Sequence, residues 1–85
     1  MIRIDLTLAE QPFSLMLYGQ KIVQVFHGQQ AITFDNPREN YYQFTHDNKV
    51  IGIDTGTVEE QSISLFVDDQ FATQLALPAP TNGSP

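Results

Sequence analysis

The alternation of apolar and polar residues along short segments limits the folds open to this chain more than any other feature. The segment IRIDLTL, residues 2–8, places four aliphatic side chains on one face and three polar side chains on the other. Successive side chains of a β-strand point to opposite faces, so this pattern is typical of a half-buried strand. Similar segments recur between turn-forming residues, without a helical period. The sequence therefore predicts an all-β fold, a small antiparallel β-sandwich or barrel of about eight short strands.

Turn-forming residues set the predicted strand boundaries. Gly19 stands at the first central position of a two-residue loop, which predicts a type II′ hairpin. Further turns are expected at His27-Gly28, over His46-Asp47-Asn48-Lys49 and at Asp68-Asp69, and the segment DNPREN, residues 35–40, indicates another turn. The residues expected to form the core are Ile2, Ile4, Leu6, Phe13, Leu15, Leu17, Ile22, Phe26, Ile32, Phe34, Phe44, Ile51, Ile53, Ile63, Leu65, Phe71 and Leu75.

The length of 85 residues predicts one β domain, residues 1–77, followed by an extended arm, residues 78–85, that contains three prolines. The chain has no cysteine, so neither a disulfide nor a cysteine-based zinc site can stabilise so small a domain. Self-association or a protein partner is the remaining means of stabilisation.

The net charge of −6 argues against several classes of partner. The four basic residues are scattered, whereas nucleic acids and anionic membrane surfaces are bound by clustered Lys and Arg. No apolar stretch is long enough for a membrane helix, and the first residues do not have the pattern of a signal peptide. We therefore expect no nucleic-acid binding and no membrane insertion, and the compartment stays open.

The segment VIGIDTGT, residues 50–57, resembles the catalytic segment of the aspartic proteases, in which the carboxylate of an Asp-Thr-Gly tripeptide performs the chemistry. The resemblance implies a retroviral-type protease, a dimer that shares two copies of Asp54. Only 29 residues follow Gly56, however, and no glycine lies between Gly56 and Gly83 to build that family's flap. The interpretation that we favour is a strand end at Asp54-Thr55, with Gly56 in a turn.

Other candidate sites lack a diagnostic spacing. His27 and His46 are the only histidines, and both are predicted to be exposed turn residues, because a metal site with Asp47 would require two separate loops to meet. Asp35, Asn36, Glu39 and Asn40 carry oxygens suited to calcium but do not follow the EF-hand order. No nucleophile motif is present. We therefore expect no enzymatic activity, no cofactor and no required metal.

The segment ISLFVDDQFATQL, residues 63–75, resembles the strand-turn-strand of laminin-G-like and other lectin sandwiches, with Asp69 in place of a glycine. The resemblance implies antiparallel hairpins, and it leaves open a ligand-binding module in which Tyr18, Tyr41 and Tyr42 stack on a sugar.

Apolar residues on both faces of the second and third strands predict a protein interface. If Leu15 and Leu17 point inward, Met16 and Tyr18 point outward. If Ile22 and Phe26 point inward, Val23 and Val25 point outward. The residues expected at the interface, including those of the arm, are Met16, Tyr18, Val23, Val25, Tyr41, Leu77, Pro78 and Pro80.

These observations favour a non-enzymatic structural or assembly subunit that binds a protein partner or forms a homo-oligomer. A small virion component that decorates or cements a capsid or tail is the example that fits this architecture. The alternatives are a lectin-like ligand-binding β-module and an acidic inhibitor of another macromolecule.

Overall fold

A computed structural model describes residues 1–57 and 59–77, and within them the chain forms nine strands in two antiparallel sheets. Sheet A contains β1 (Ile2–Leu8), β2 (Gln11–Tyr18), β3 (Lys21–His27) and β4 (Gln30–Ile32). Sheet B contains β5 (Asp35–Arg38), β6 (Tyr41–His46), β7 (Lys49–Asp54), β8 (Ser62–Val67) and β9 (Gln70–Ala76). The predicted all-β antiparallel fold is confirmed. The expected arm at residues 78–85 lies outside the described residues.

Each sheet is a meander in which every strand pairs with the next one along the chain. Gly19 has a φ of +64°, as the predicted type II′ loop requires at its first central position. The loops at Asp47-Asn48 and at Asp68-Asp69 have positive φ at both residues, the type I′ pattern. Asn and Asp tolerate this left-handed conformation better than most residues, so the turn chemistry of the sequence fixes these hairpins.

A single hydrophobic core lies between the sheets. The rings of Phe13 in sheet A and Phe44 in sheet B meet edge to face with centroids 5.5 Å apart, which fixes the two layers as a sandwich. The buried apolar residues come from both sheets and are Leu8, Phe13, Leu15, Leu17, Ile22, Val25, Tyr42, Phe44, Ile51, Ile53, Ile63 and Leu65.

A β-bulge in β3 reverses the predicted orientation of its second half. Met16 pairs with Gln24 and Leu17 pairs with Ile22, so Val23 is an extra residue without a partner on β2. The added residue turns Val25 inward, where it is completely buried. The prediction that Val25 points outward is therefore wrong, and Phe26, which was expected in the core, is only partly buried.

A second bulge exposes Phe71 on the edge strand β9. Leu65 pairs with Thr73 but Phe66 pairs with Phe71, so Ala72 is the extra residue. Phe71 consequently shares the outer face of sheet B with Phe66, at a ring-centroid distance of 6.0 Å, and is 63% exposed. The prediction that Phe71 belongs to the core is wrong for this reason.

The sequence predicted about eight strands, and the additional strand, β5, lies where a turn was indicated. Asn36 and Pro37 form a bulge, because Asp35 pairs with Gln43 and Arg38 pairs with Tyr41. Asn36 Nδ2 donates to the carbonyl oxygens of Arg38 and Tyr41, both at 2.7 Å. The amide side chain thus supplies hydrogen bonds across the bulge, where the regular ladder is interrupted.

Candidate functional site

The outer surface of sheet A carries two of the large apolar side chains that the structure leaves exposed. We call the side chains of Met16, Tyr18, Val23 and Phe26 the outer A face. Tyr18 is 68% exposed and Val23 is 44% exposed. Met16 and Phe26 are partly buried and line a shallow hollow on this surface. The structure therefore brings together three of the predicted interface residues on two neighbouring strands.

A polar cluster borders the outer A face. Ser14 Oγ donates to Asp5 Oδ1 at 2.7 Å, and Arg3 Nε lies 3.0 Å from the same oxygen. The hydrogen bond from Ser14, followed by that from Arg3, lowers the pKa of the Asp5 carboxyl below its ordinary value. Lys21 lies directly opposite Tyr18 and so faces the same side. This surface therefore carries two cations and one anion, unlike the strongly acidic chain as a whole.

Tyr41 belongs to the other side of the sandwich. Its ring lies on sheet B beneath the Arg38 guanidinium, whose carbon is 4.1 Å from the ring centroid. Tyr42, the next residue, is buried against Phe34 at a ring-centroid distance of 5.9 Å. Tyr18, Tyr41 and Tyr42 therefore do not form one surface on which a sugar could stack.

The end of β9 joins the core rather than standing apart from it. Leu77 packs against the hydrophobic core, and its backbone N–H donates to the carbonyl of Gln61 at 2.8 Å. Pro78 and Pro80, the other predicted interface residues of this segment, lie outside the described residues.

The Asp-Thr-Gly segment ends a strand, as the sequence predicted. β7 ends at Asp54, whose Oδ1 accepts a hydrogen bond from the Gly56 N–H at 2.8 Å. Gly56 has a φ of +67°, a conformation that favours glycine. Thr55 is fully buried, and its backbone N–H donates to the carbonyl of Asn40 at 2.8 Å. The Asp54 carboxylate caps the turn that follows its own strand.

The two histidines meet between the sheets, contrary to the prediction of separate exposed turn residues. His27 ends β3 and His46 ends β6, and their ring centroids are 4.5 Å apart. The Phe13 ring contacts both imidazoles, with centroids 5.4 Å from His27 and 5.2 Å from His46. Both histidines are partly buried. A signal was present in the sequence, because His46 follows inward Phe44 by two residues and so shares its face.

The oxygen-rich segment from Asp35 to Asn40 is tied into the β5–β6 hairpin. The amide nitrogen of Asn36 is committed to the two carbonyls across the bulge. Across residues 1–57 and 59–77, no group of three or more His, Asp or Glu side chains is arranged to hold a metal ion.

Comparisons with protein-family models, with curated proteins and with solved structures found no match to this chain. None of the described residues belongs to a helix that is long and apolar enough to cross a membrane.

Proposed function

We propose that this chain is a non-enzymatic assembly subunit whose outer A face contacts a second copy of the chain. The observation that carries the proposal is the exposure of Tyr18 and Val23 on one β-hairpin, next to the hollow that Met16 and Phe26 line together with polar residues. Tyrosine and methionine are enriched in protein interfaces, and exposed apolar surface that is rimmed by polar residues commonly marks one. Arg3, Asp5 and Lys21 supply such a rim.

Charge supports a second copy as the partner. Two chains of net charge −6 repel each other when their acidic surfaces meet. The surroundings of the outer A face carry Arg3, Lys21 and Asp5, so contact through this face keeps most of the negative charge away from the interface. Two copies of the chain can therefore approach each other through their outer A faces with less electrostatic repulsion than through the rest of the surface.

The size of the domain also supports association. A chain of 85 residues without disulfides buries a limited core, and joining copies into an assembly adds buried surface. The example that we propose, by analogy of architecture, is a virion component that decorates or cements a capsid or tail.

The test is the native mass of the purified chain over a wide concentration range, for the wild type and two matched variants. Val23→Lys adds a charge to the outer A face, and Val50→Lys adds the same charge to an exposed valine on sheet B. We expect the wild type to associate, Val23→Lys to weaken association at least about tenfold and Val50→Lys to leave it within about twofold.

Circular dichroism of each variant shows whether the fold is retained. A wild-type chain that stays monomeric at millimolar concentration contradicts the proposed self-association. Equal weakening by Val23→Lys and Val50→Lys contradicts the assignment of the interface to the outer A face.

A further inference from the structure

The His27–His46 pair joins two layers that share no hydrogen-bonded strand pair within the described residues. His27 lies in sheet A and His46 in sheet B, and both occupy inward-facing positions at the same end of the sandwich. They continue the inner faces formed by buried Val25 and Phe44. No spacing along the chain predicts such a pair, which forms where the two sheets stack on each other.

The separation of the rings fits a shared metal ion. Metal–nitrogen bonds of about 2.0–2.1 Å place two coordinated imidazole centres about 4.5 Å apart when the bonds meet at a right angle, and about 5.2 Å apart at the tetrahedral angle. The observed centroid distance is 4.5 Å. Right-angle pairs occur in tetragonal coordination, which Cu²⁺ and Ni²⁺ prefer.

Gln11 orients one of the two rings. Its Oε1 lies 3.0 Å from His27 Nε2. An amide oxygen can only accept a hydrogen bond, so Nε2 is the donor in this contact and Nδ1 is the ring nitrogen left to ligate a metal ion. Histidines that ligate metals commonly donate their other ring N–H to an oxygen in this way, which fixes the tautomer.

The surroundings allow an ion to be bound with water completing its coordination. Phe13 contacts both imidazoles, while both histidines are partly exposed and leave access from solvent. The net charge of −6 raises the local concentration of cations. The geometry points to a two-imidazole site at His27 and His46 that binds one tetragonal transition-metal ion of the Cu²⁺ or Ni²⁺ class and clamps sheet A to sheet B.

The first test is thermal unfolding of the untagged chain, stripped with EDTA and then mixed with NiCl₂ or MgCl₂. An ion that binds only the folded chain raises Tm, and at about one hundred times Kd we expect a rise of about 10 °C or more for a domain of this size. Mg²⁺ prefers oxygen ligands and should have no effect. His27→Gln and His46→Gln should each abolish the rise caused by Ni²⁺.

The second test needs no variant and uses the wild-type chain with one equivalent of Cu²⁺. The electron paramagnetic resonance spectrum should show coupling to two equivalent imidazole nitrogens, with one ion bound per chain. The site does not exist as proposed if Ni²⁺ leaves Tm unchanged, if the rise persists in either histidine variant, or if Cu²⁺ is coupled to one imidazole only. None of these results depends on whether the outer A face mediates association.

Discussion

The phenol ring of Tyr41 lies across Gly52 on the adjoining strand of sheet B and occupies the space of the missing side chain. A Cβ placed at Gly52 would come within 2.9 Å of Tyr41 Cζ and closer still to the hydroxyl oxygen. The Arg38 guanidinium stacks on the same ring. Gly52, Tyr41 and Arg38 thus form a layered surface that depends on the absence of a side chain at its base.

Gly52→Ala should lower the free energy of unfolding by about 1 kcal/mol, because the added methyl displaces the Tyr41 ring from its place under Arg38. In a Tyr41→Ala background the same change should instead raise stability by about 0.5–1 kcal/mol, since glycine in a strand is less favourable than alanine. Urea denaturation of the four proteins measures this double-mutant cycle. If Gly52→Ala changes the free energy of unfolding in the same direction in both backgrounds, the position of the Tyr41 ring does not depend on the absence of a side chain at Gly52.

The sequence predicted the fold class and most strand positions, because alternation and turn chemistry act locally. It did not predict the bulge in β3. In the segment KIVQVFH, residues 21–27, apolar residues fall on both faces, so the pattern fits a regular strand as well as a bulged one. The pairing with β2 decides between them, and with the bulge Val25 lies opposite Leu15 in the core.

Two truncations distinguish the bulged strand from a regular one. Val25→Ala should lower the free energy of unfolding by about 2 kcal/mol, since it leaves a cavity beside fully buried neighbours. Val23→Ala, at a residue that is 44% exposed, should change it by less than about 0.5 kcal/mol. Denaturant unfolding of both variants gives the comparison. A larger loss for Val23→Ala than for Val25→Ala would restore the orientation that simple alternation predicted.

Alternation along β6 predicts that His46 shares the inward face of Phe44, but it does not predict the contact between the two histidines. His27 and His46 lie in different sheets, so their contact depends on how the sheets stack rather than on any spacing along the chain. The exposed positions of Tyr18 and Val23, by contrast, were predictable from the alternation of inward and outward residues along β2 and β3. The alternation of apolar and polar residues along a strand predicts which way a side chain points, whereas the stacking of the two sheets determines which residues it contacts.

Asn36→Asp is a nearly isosteric test of the bulge in β5. The change removes the two amide hydrogens given to the Arg38 and Tyr41 carbonyls and places a carboxylate beside both oxygens. We expect the free energy of unfolding to fall by about 1–2 kcal/mol at neutral pH, with a smaller fall for Asn36→Ala, because alanine leaves both carbonyls free to bind water. Chemical denaturation checks the order. Equal stability of Asn36→Asp and the wild type would show that the hydrogen bonds of the Asn36 amide do not stabilise the bulge.

The clearest pH dependence of stability is expected from the Asp5 carboxyl. Its pKa is lowered in the folded chain, first by the hydrogen bond from Ser14 and then by Arg3. A depressed folded-state pKa means that the contribution to stability is present above the ordinary aspartate pKa, about 3.9, and is lost as pH falls through the folded-state value. Asp5→Asn should therefore lower Tm slightly at pH 7, and the difference from wild type should shrink below pH 4. The Asp5 side chain is 68% exposed, so added salt should also reduce the part that comes from Arg3.

Ser14→Ala separates the two causes of the Asp5 shift. Because the hydrogen bond from Ser14 is the largest single cause of the shift, its removal should move the pKa of the Asp5 carboxyl upward, toward the ordinary aspartate range, and Arg3→Gln gives the comparison. A carbon-13 NMR titration of the Asp5 carboxyl in the three proteins measures both effects directly. If Arg3→Gln produces the larger rise, the ion pair rather than the hydroxyl holds the carboxylate ionised, and the cross-strand hydrogen bond from Ser14 is secondary.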